Sequence, residues 1–171
     1  MMCSKFDLQG LSEYILYNDS PILNWPQPPP VFWGNKGEIE DYITTTANGW
    51  ELFSARTVEI FHGFGVRGVD FHPVRIIVQE TGEEIEGYAV AHVWNLIEGL
   101  DREHSDWMAA KNNPDKVISV FTAVLRAEAV QNEDAFRLKE SKVAVYLSER
   151  VTKAIKSQKL TGFKFFPIKA M

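Results

Sequence analysis

Two stretches of this chain carry the same cadence. "SARTVEIFHGFGVRGVDFHP" begins at Ser54, and "SERVTKAIKSQKLTGFKFFP" begins at Ser148. Ser54 aligns with Ser148, Arg56 with Arg150, Gly68 with Gly162, Phe71 with Phe165 and Pro73 with Pro167, without a gap. Few letters match, so what recurs is a packing pattern. A serine hydroxyl accepts from the free N–H groups of a first helical turn, so each serine reads as an N-cap. Thr57, Ile60, Phe61 and Phe64 then fall on one helical face, as do Val151, Ala154, Ile155 and Gln158. The glycines supply the positive φ that ends a helix. Each copy therefore predicts strand, capped helix, glycine turn and closing strand: "WELF" and "VDFHPV" in one, "VAVYL" and "FKFFPI" in the other. Two such units are too few for a solenoid. They predict one α+β domain over 1–171, with a mixed or antiparallel sheet and two related strand–helix–strand units.

The rest of the chain fills in around them. Residues 1–49 read as an irregular segment packed on a core of 50–171. Five prolines between Pro21 and Pro30 deny it ladder donors and predict an extended surface path. Trp25, Phe32 and Trp33 are expected to pin it down. "YILY" (Tyr14–Tyr17) reads as a short strand and "KGEIEDYITTTANG" as a short helix. "RIIVQ" and "EGYAVAHVW" flank a Gly-containing turn and predict a hairpin. "NLIEGLDREHSDW" reads as a turn or short helix and "KNNPDK" as a loop. "VISVFTAVL" and "DAFRL" read as strands. Pro73 limits pairing and predicts an edge or bend.

The single cysteine, Cys3, has no internal partner, which fits a reducing compartment. No apolar run nears the roughly 18 residues of a membrane helix. "MMCSKFDLQG" has no apolar signal core, so a cytoplasmic location is expected. The net charge of −5 hides a split. Arg137–Met171 carries +7, and residues 1–136 carry −12. Such asymmetry suits a partner surface as well as mutual neutralisation.

Chemistry-bearing motifs are scarce. Asp101, Glu103, His104 and Asp106 cluster in "DREHSDW", and His92 lies nine residues before Asp101, but no pair has a known ligand spacing. A solvated turn capped by Asp101 and Ser105 is the expectation, with no metal, cofactor or catalytic residue assigned. Ser54 and Ser148 lack a nucleophile elbow. "GFGVRG" follows a helix, so it presents no N–H cradle to a phosphate. Arg150, Lys153, Lys156 and Lys159 stripe one helix face. This leaves a nucleic-acid-binding module as an alternative, beside a small hydrolase. The acidic whole and the lack of a reading motif argue against nucleic acid.

"AFRLKESKVAVYLSERVTKAIKSQKLTGFKFFPI" resembles the C-terminal signature of a bacterial polymorphic-toxin immunity family, the eleventh of that classification. The signature is a Phe-Arg pair, a strand, a Ser-led helix, "LTG" and a proline-containing strand. "FSARTVEIFHGFGVRGVDFHPV" and "YAVAHVWNLIEGLDREHSD" are similar to its earlier and middle blocks, in order, over Trp50–Ile168. The resemblance implies a non-enzymatic antidote that binds a cognate toxin protein, with no membrane partner, and leaves the oligomeric state open. It supplies no catalytic residues. Toxins of such systems often have basic clefts, so the expected toxin contacts are Glu80, Glu83, Glu84, Glu86, Asp101, Glu103, Asp106 and Trp107. Trp25 and Trp33 are further candidate anchors.

Overall fold

The computed structural model describes residues 1–171 and is organised around a closed six-strand barrel. Three barrel strands, β1 (Met2–Asp7), β2 (Val31–Gly34) and β3 (Tyr42–Thr45), come from the segment expected to be irregular. The others are β4 (Leu52–Ser54), β5 (Val69–Val78) and β6 (Glu84–Val93). They run in the order β1-β2-β5-β6-β4-β3, and β3 returns to β1. The β1–β3 and β2–β5 pairings are parallel, and the other four are antiparallel. Closure leaves the barrel no open edge. The prolines stop just short of β2, and the Pro30 carbonyl accepts from Arg75 N at 2.9 Å. The "KGEIEDYITTTANG" stretch, expected to hold a short helix, instead supplies β3, where β-branched Ile43, Thr44 and Thr45 suit the pleat.

"YILY" is not a strand. Ser12 starts a turn that becomes a 3₁₀ helix at Ile15–Tyr17 and drives Leu16 fully into the core. β5 runs straight through Pro73 with one bulge between Val74 and Ile76. Proline is tolerated there because β2 pairs only with Arg75–Val78, so no second ladder needs the missing N–H. Phe32, Ile43, Trp50, Leu52, Ile76 and Val90 fill the barrel, each fully buried or nearly so.

The first serine-led helix, α1 (Ala55–Gly63), leaves β4 directly. After β6 come β7 (Leu96–Ile97), a hairpin of β8 (Asp106–Ala110) and β9 (Asn113–Thr122), then β10 (Val124–Leu125). Asn113 already belongs to β9, so the expected "KNNPDK" loop shrinks to a tight turn. The one-turn α2 (Ala127–Val130) leads to β11 (Ala135–Leu138), β12 (Tyr146–Leu147) and the second serine-led helix, α3 (Glu149–Ser157). β11 pairs with β7 and β12, and β13 (Lys169–Ala170) pairs with β10. The fold is therefore mainly β, with three short helices and more strands than the sequence predicts. "FKFFPI" forms no strand. Phe163 and Phe165 stack on each other at 5.6 Å, and Phe163 also packs against Tyr42 and Phe53.

α1 and α3 bury the faces expected of them. Ile60, Phe61, Val151, Ile155, Ala135 and Leu160 form one core cluster against Phe71 on the outer face of the barrel. Each large side chain there contributes about 1.5–3 kcal/mol of burial. Phe64 and Gln158 fall outside that cluster, because each caps the end of its helix and is exposed.

Candidate functional site

The serines are the first place to look for chemistry, and both are fully engaged. Ser54 Oγ donates to Asp41 Oδ1 at 2.7 Å and accepts from Thr57 N. Ser148 Oγ donates to Asp134 Oδ1 at 2.8 Å and accepts from Val151 N. Arg56 bridges to Asp41, and Arg150 to Asp134 through both its Nε and its terminal nitrogen. Each arginine then reaches across to the end of the other helix. Arg56 donates to the Gln158 carbonyl at 3.0 Å and Arg150 to the Phe64 carbonyl at 3.3 Å. The two helices are thus antiparallel, and each receives a cation at its negative terminus. Burial pushes the Asp41 carboxyl up, but hydrogen bonds from Thr161 and Ser54 and the Arg56 charge outweigh it, so its pKa lies below the usual range. Arg150 first, then Ser148, does the same for Asp134. The one base beside each hydroxyl is an aspartate whose pKa lies below the usual range and which is committed to an arginine, so neither hydroxyl is an activated nucleophile. Cys3 is no better placed: it is fully buried in β1, and burial pushes its thiol up to about 11.

The expected toxin contacts divide between two places. Glu80, Glu83, Glu84 and Glu86 sit together and exposed at the β5–β6 tip. Glu84 is paired with Arg75 at 2.6 Å, and Glu80 accepts from Lys36 N at 2.9 Å. Asp101, Glu103, Asp106 and Trp107 lie beyond the opposite end of β6, a strand of ten residues that spans roughly 30 Å. Asp101 there closes its own turn, accepting from Glu103 N, His104 N and His104 Nδ1. Most of β6 separates the two groups along the chain. The tryptophans are half-buried: Trp25 stacks on His72, Trp33 lies under Lys5, and Trp107 lies under Arg102.

The basic stripe on α3 is partly neutralised. Arg150 is committed to Asp134, Lys153 to Glu149 at 2.9 Å, and Lys156 lies over Phe165. The Arg of the Phe-Arg pair, Arg137, is buried; it donates to the carbonyls of Lys142 and Val143 and lies over Tyr17. Its role is to hold the loop before β12.

One cluster escaped the sequence reading. Asp70 and His72 alternate on β5, and His92 on β6 stands directly opposite Asp70, so all three share a face. Their candidate donor atoms lie within 4.8 Å of one another. Burial holds both imidazoles below their ordinary pKa. A polar D-x-H pair at strand spacing was the available signal; its partner depended on the register of the hairpin.

Among curated proteins the chain has no match. A family model does match, over residues 6–170, and it describes an immunity protein family, Imm11. That match spans all of the barrel but the first four residues of β1, both serine-led helices and the Phe-Arg strand between them, so the chain belongs to the Imm11 immunity protein family.

Proposed function

We propose that this protein is a non-enzymatic antidote that binds a cognate toxin protein in the cytoplasm and occludes its active site. Membership of an immunity family over nearly the whole chain is the observation that carries this reading. The serine clusters support it by what they lack. Their polar groups satisfy each other, which suits a scaffold and leaves recognition to the outer surface.

The contact we assign is the β5–β6 tip. Glu80, Glu83, Glu84 and Glu86 are exposed there, and Arg75 is the one side-chain cation paired among them. Such a tip would steer association with a basic toxin cleft. Asp101, Glu103, Asp106 and Trp107 provide a second, separate contact surface.

Co-expression with the toxin encoded beside this protein tests the reading. Growth should be restored and a complex isolated. Unrelieved arrest with no complex overturns it. Charge reversal at Glu80, Glu83 and Glu86 should slow association by about tenfold or more at low salt; an unchanged rate removes the tip from the interface.

A further inference from the structure

The Asp70–His72–His92 cluster is built like a ligand set. His92 is fully buried, and its Nε2 lies 3.1 Å from the Asn18 carbonyl. A carbonyl only accepts, so Nε2 carries the proton and Nδ1 presents a lone pair. That Nδ1 is buried and has no partner. His72 Nε2 is likewise buried and unpartnered, on a ring held flat against Trp25 at 4.3 Å. The Asp70 carboxylate is oriented from behind, with Trp94 Nε1 donating to Oδ2 at 2.9 Å. Unpaired buried nitrogens are costly, and one donor atom of each of the three residues lies within 4.8 Å of the other two, so a shared partner would satisfy them.

We propose that Asp70, His72 and His92 bind one divalent transition-metal ion of the zinc class. Two imidazoles and a carboxylate are the donors such an ion prefers. The Asn18 carbonyl on His92 and the Trp94 indole on Asp70 are the outer hydrogen bonds that fix ligands in such sites. Donors bound at about 2.0–2.1 Å stand roughly 3–3.5 Å apart around a tetrahedral ion. The donor atoms now lie within 4.8 Å of one another, so binding would draw them closer by roughly 1–2 Å. Asn18 and Trp25 both belong to the stretch between the 3₁₀ turn and β2, so the ion clasps that stretch onto the β5–β6 hairpin. The Trp25 indole already donates to the Pro73 carbonyl at 2.8 Å, beside the site.

The experiment is a titration of the chelator-treated full chain with cobalt(II) chloride, read by visible d–d bands, and with zinc chloride, read by thermal melting. One ion should bind per chain, with a Kd on the order of 1 µM or tighter. At a hundredfold excess over Kd, zinc should raise Tm by about 5 °C or more. Asp70→Asn and His72→Ala should abolish binding, and Trp94→Phe should weaken it by about 10–100-fold. His104→Ala, outside the cluster, should leave it unchanged. Should a variant fail to fold, the wild-type titrations decide alone. No saturable binding by the wild type, or binding that survives Asp70→Asn and His72→Ala, overturns the site and leaves a bridging water as the shared partner.

Discussion

The two serine-led units obey one local grammar in two different settings. Both serines hold nearly identical backbone angles, with φ of −65° and −64° and ψ of 159° in each. Both take an aspartate from the position just before the hairpin's first strand and an arginine from the first helical turn. In the first unit the hairpin is β3–β4, part of the closed barrel; Asp41 is buried and also receives Thr161 N and Oγ1. In the second the hairpin is the short β11–β12 ladder, and Asp134 relies on Ser148 and Arg150. After Gly68 the chain becomes a ten-residue strand, whereas after Gly162 it stays extended and unpaired until Lys169. Local sequence chooses cap, helix and turn; whether the next segment becomes a strand depends on a free edge to join.

The largest effects should come from the turns. Gly162 has φ +86°, and a Cβ there would overlap the Tyr42 carbonyl oxygen, which is backbone. Gly68 has φ +73°, and its Cβ would overlap Cβ of Asn95. Left-handed backbone alone costs about 1–2 kcal/mol for an L side chain. Gly162→Ala should cost roughly 3 kcal/mol or more and Gly68→Ala about 2–3, by urea denaturation. The reverse order would show that the two turns are not the equivalents described.

Next come the aspartates. Asp41→Ala strands the Ser54 and Thr161 donors in a buried setting and should cost about 3 kcal/mol. Asp134→Ala, at a wetter site, should cost about 1–2 kcal/mol. Equal losses would mean that the barrel adds nothing to the first unit. The serines follow: about 1–2 kcal/mol for Ser54→Ala and about 1 for Ser148→Ala, from the lost caps. Calorimetric melts of the pair measure the gap.

Acid gives the finest comparison. Both carboxyls have folded pKa values below the unfolded value near 3.9. Such a group contributes stability above the unfolded pKa and loses it as pH falls through the folded pKa. Stability should therefore fall below about pH 4. In Asp134→Asn and Asp41→Asn that acid slope should be shallower, and a slope unchanged in both would refute the assigned ion pairing.

These contrasts also explain what was legible. Caps, helical faces and the β5–β6 hairpin follow from neighbours in sequence, so Ser54, Ile60, Val151 and Ile155 were readable. β1, β2 and β3 join partners far along the chain, two of these pairings are parallel, and the prolines beside β2 suggested an irregular path. The acidic residues were readable as exposed, but the length of β6 that separates them was not. Asp70, His72 and His92 became a cluster only through strand register.

The central claim is that both units are scaffold and that protection resides on the surface. The affinity of folded Ser54→Ala/Ser148→Ala protein for the cognate toxin tests it most directly. The account predicts a Kd within about threefold of wild type, at a temperature where the variant is fully folded. A loss of a hundredfold or more in a folded variant would place the serines in the recognition machinery and contradict it.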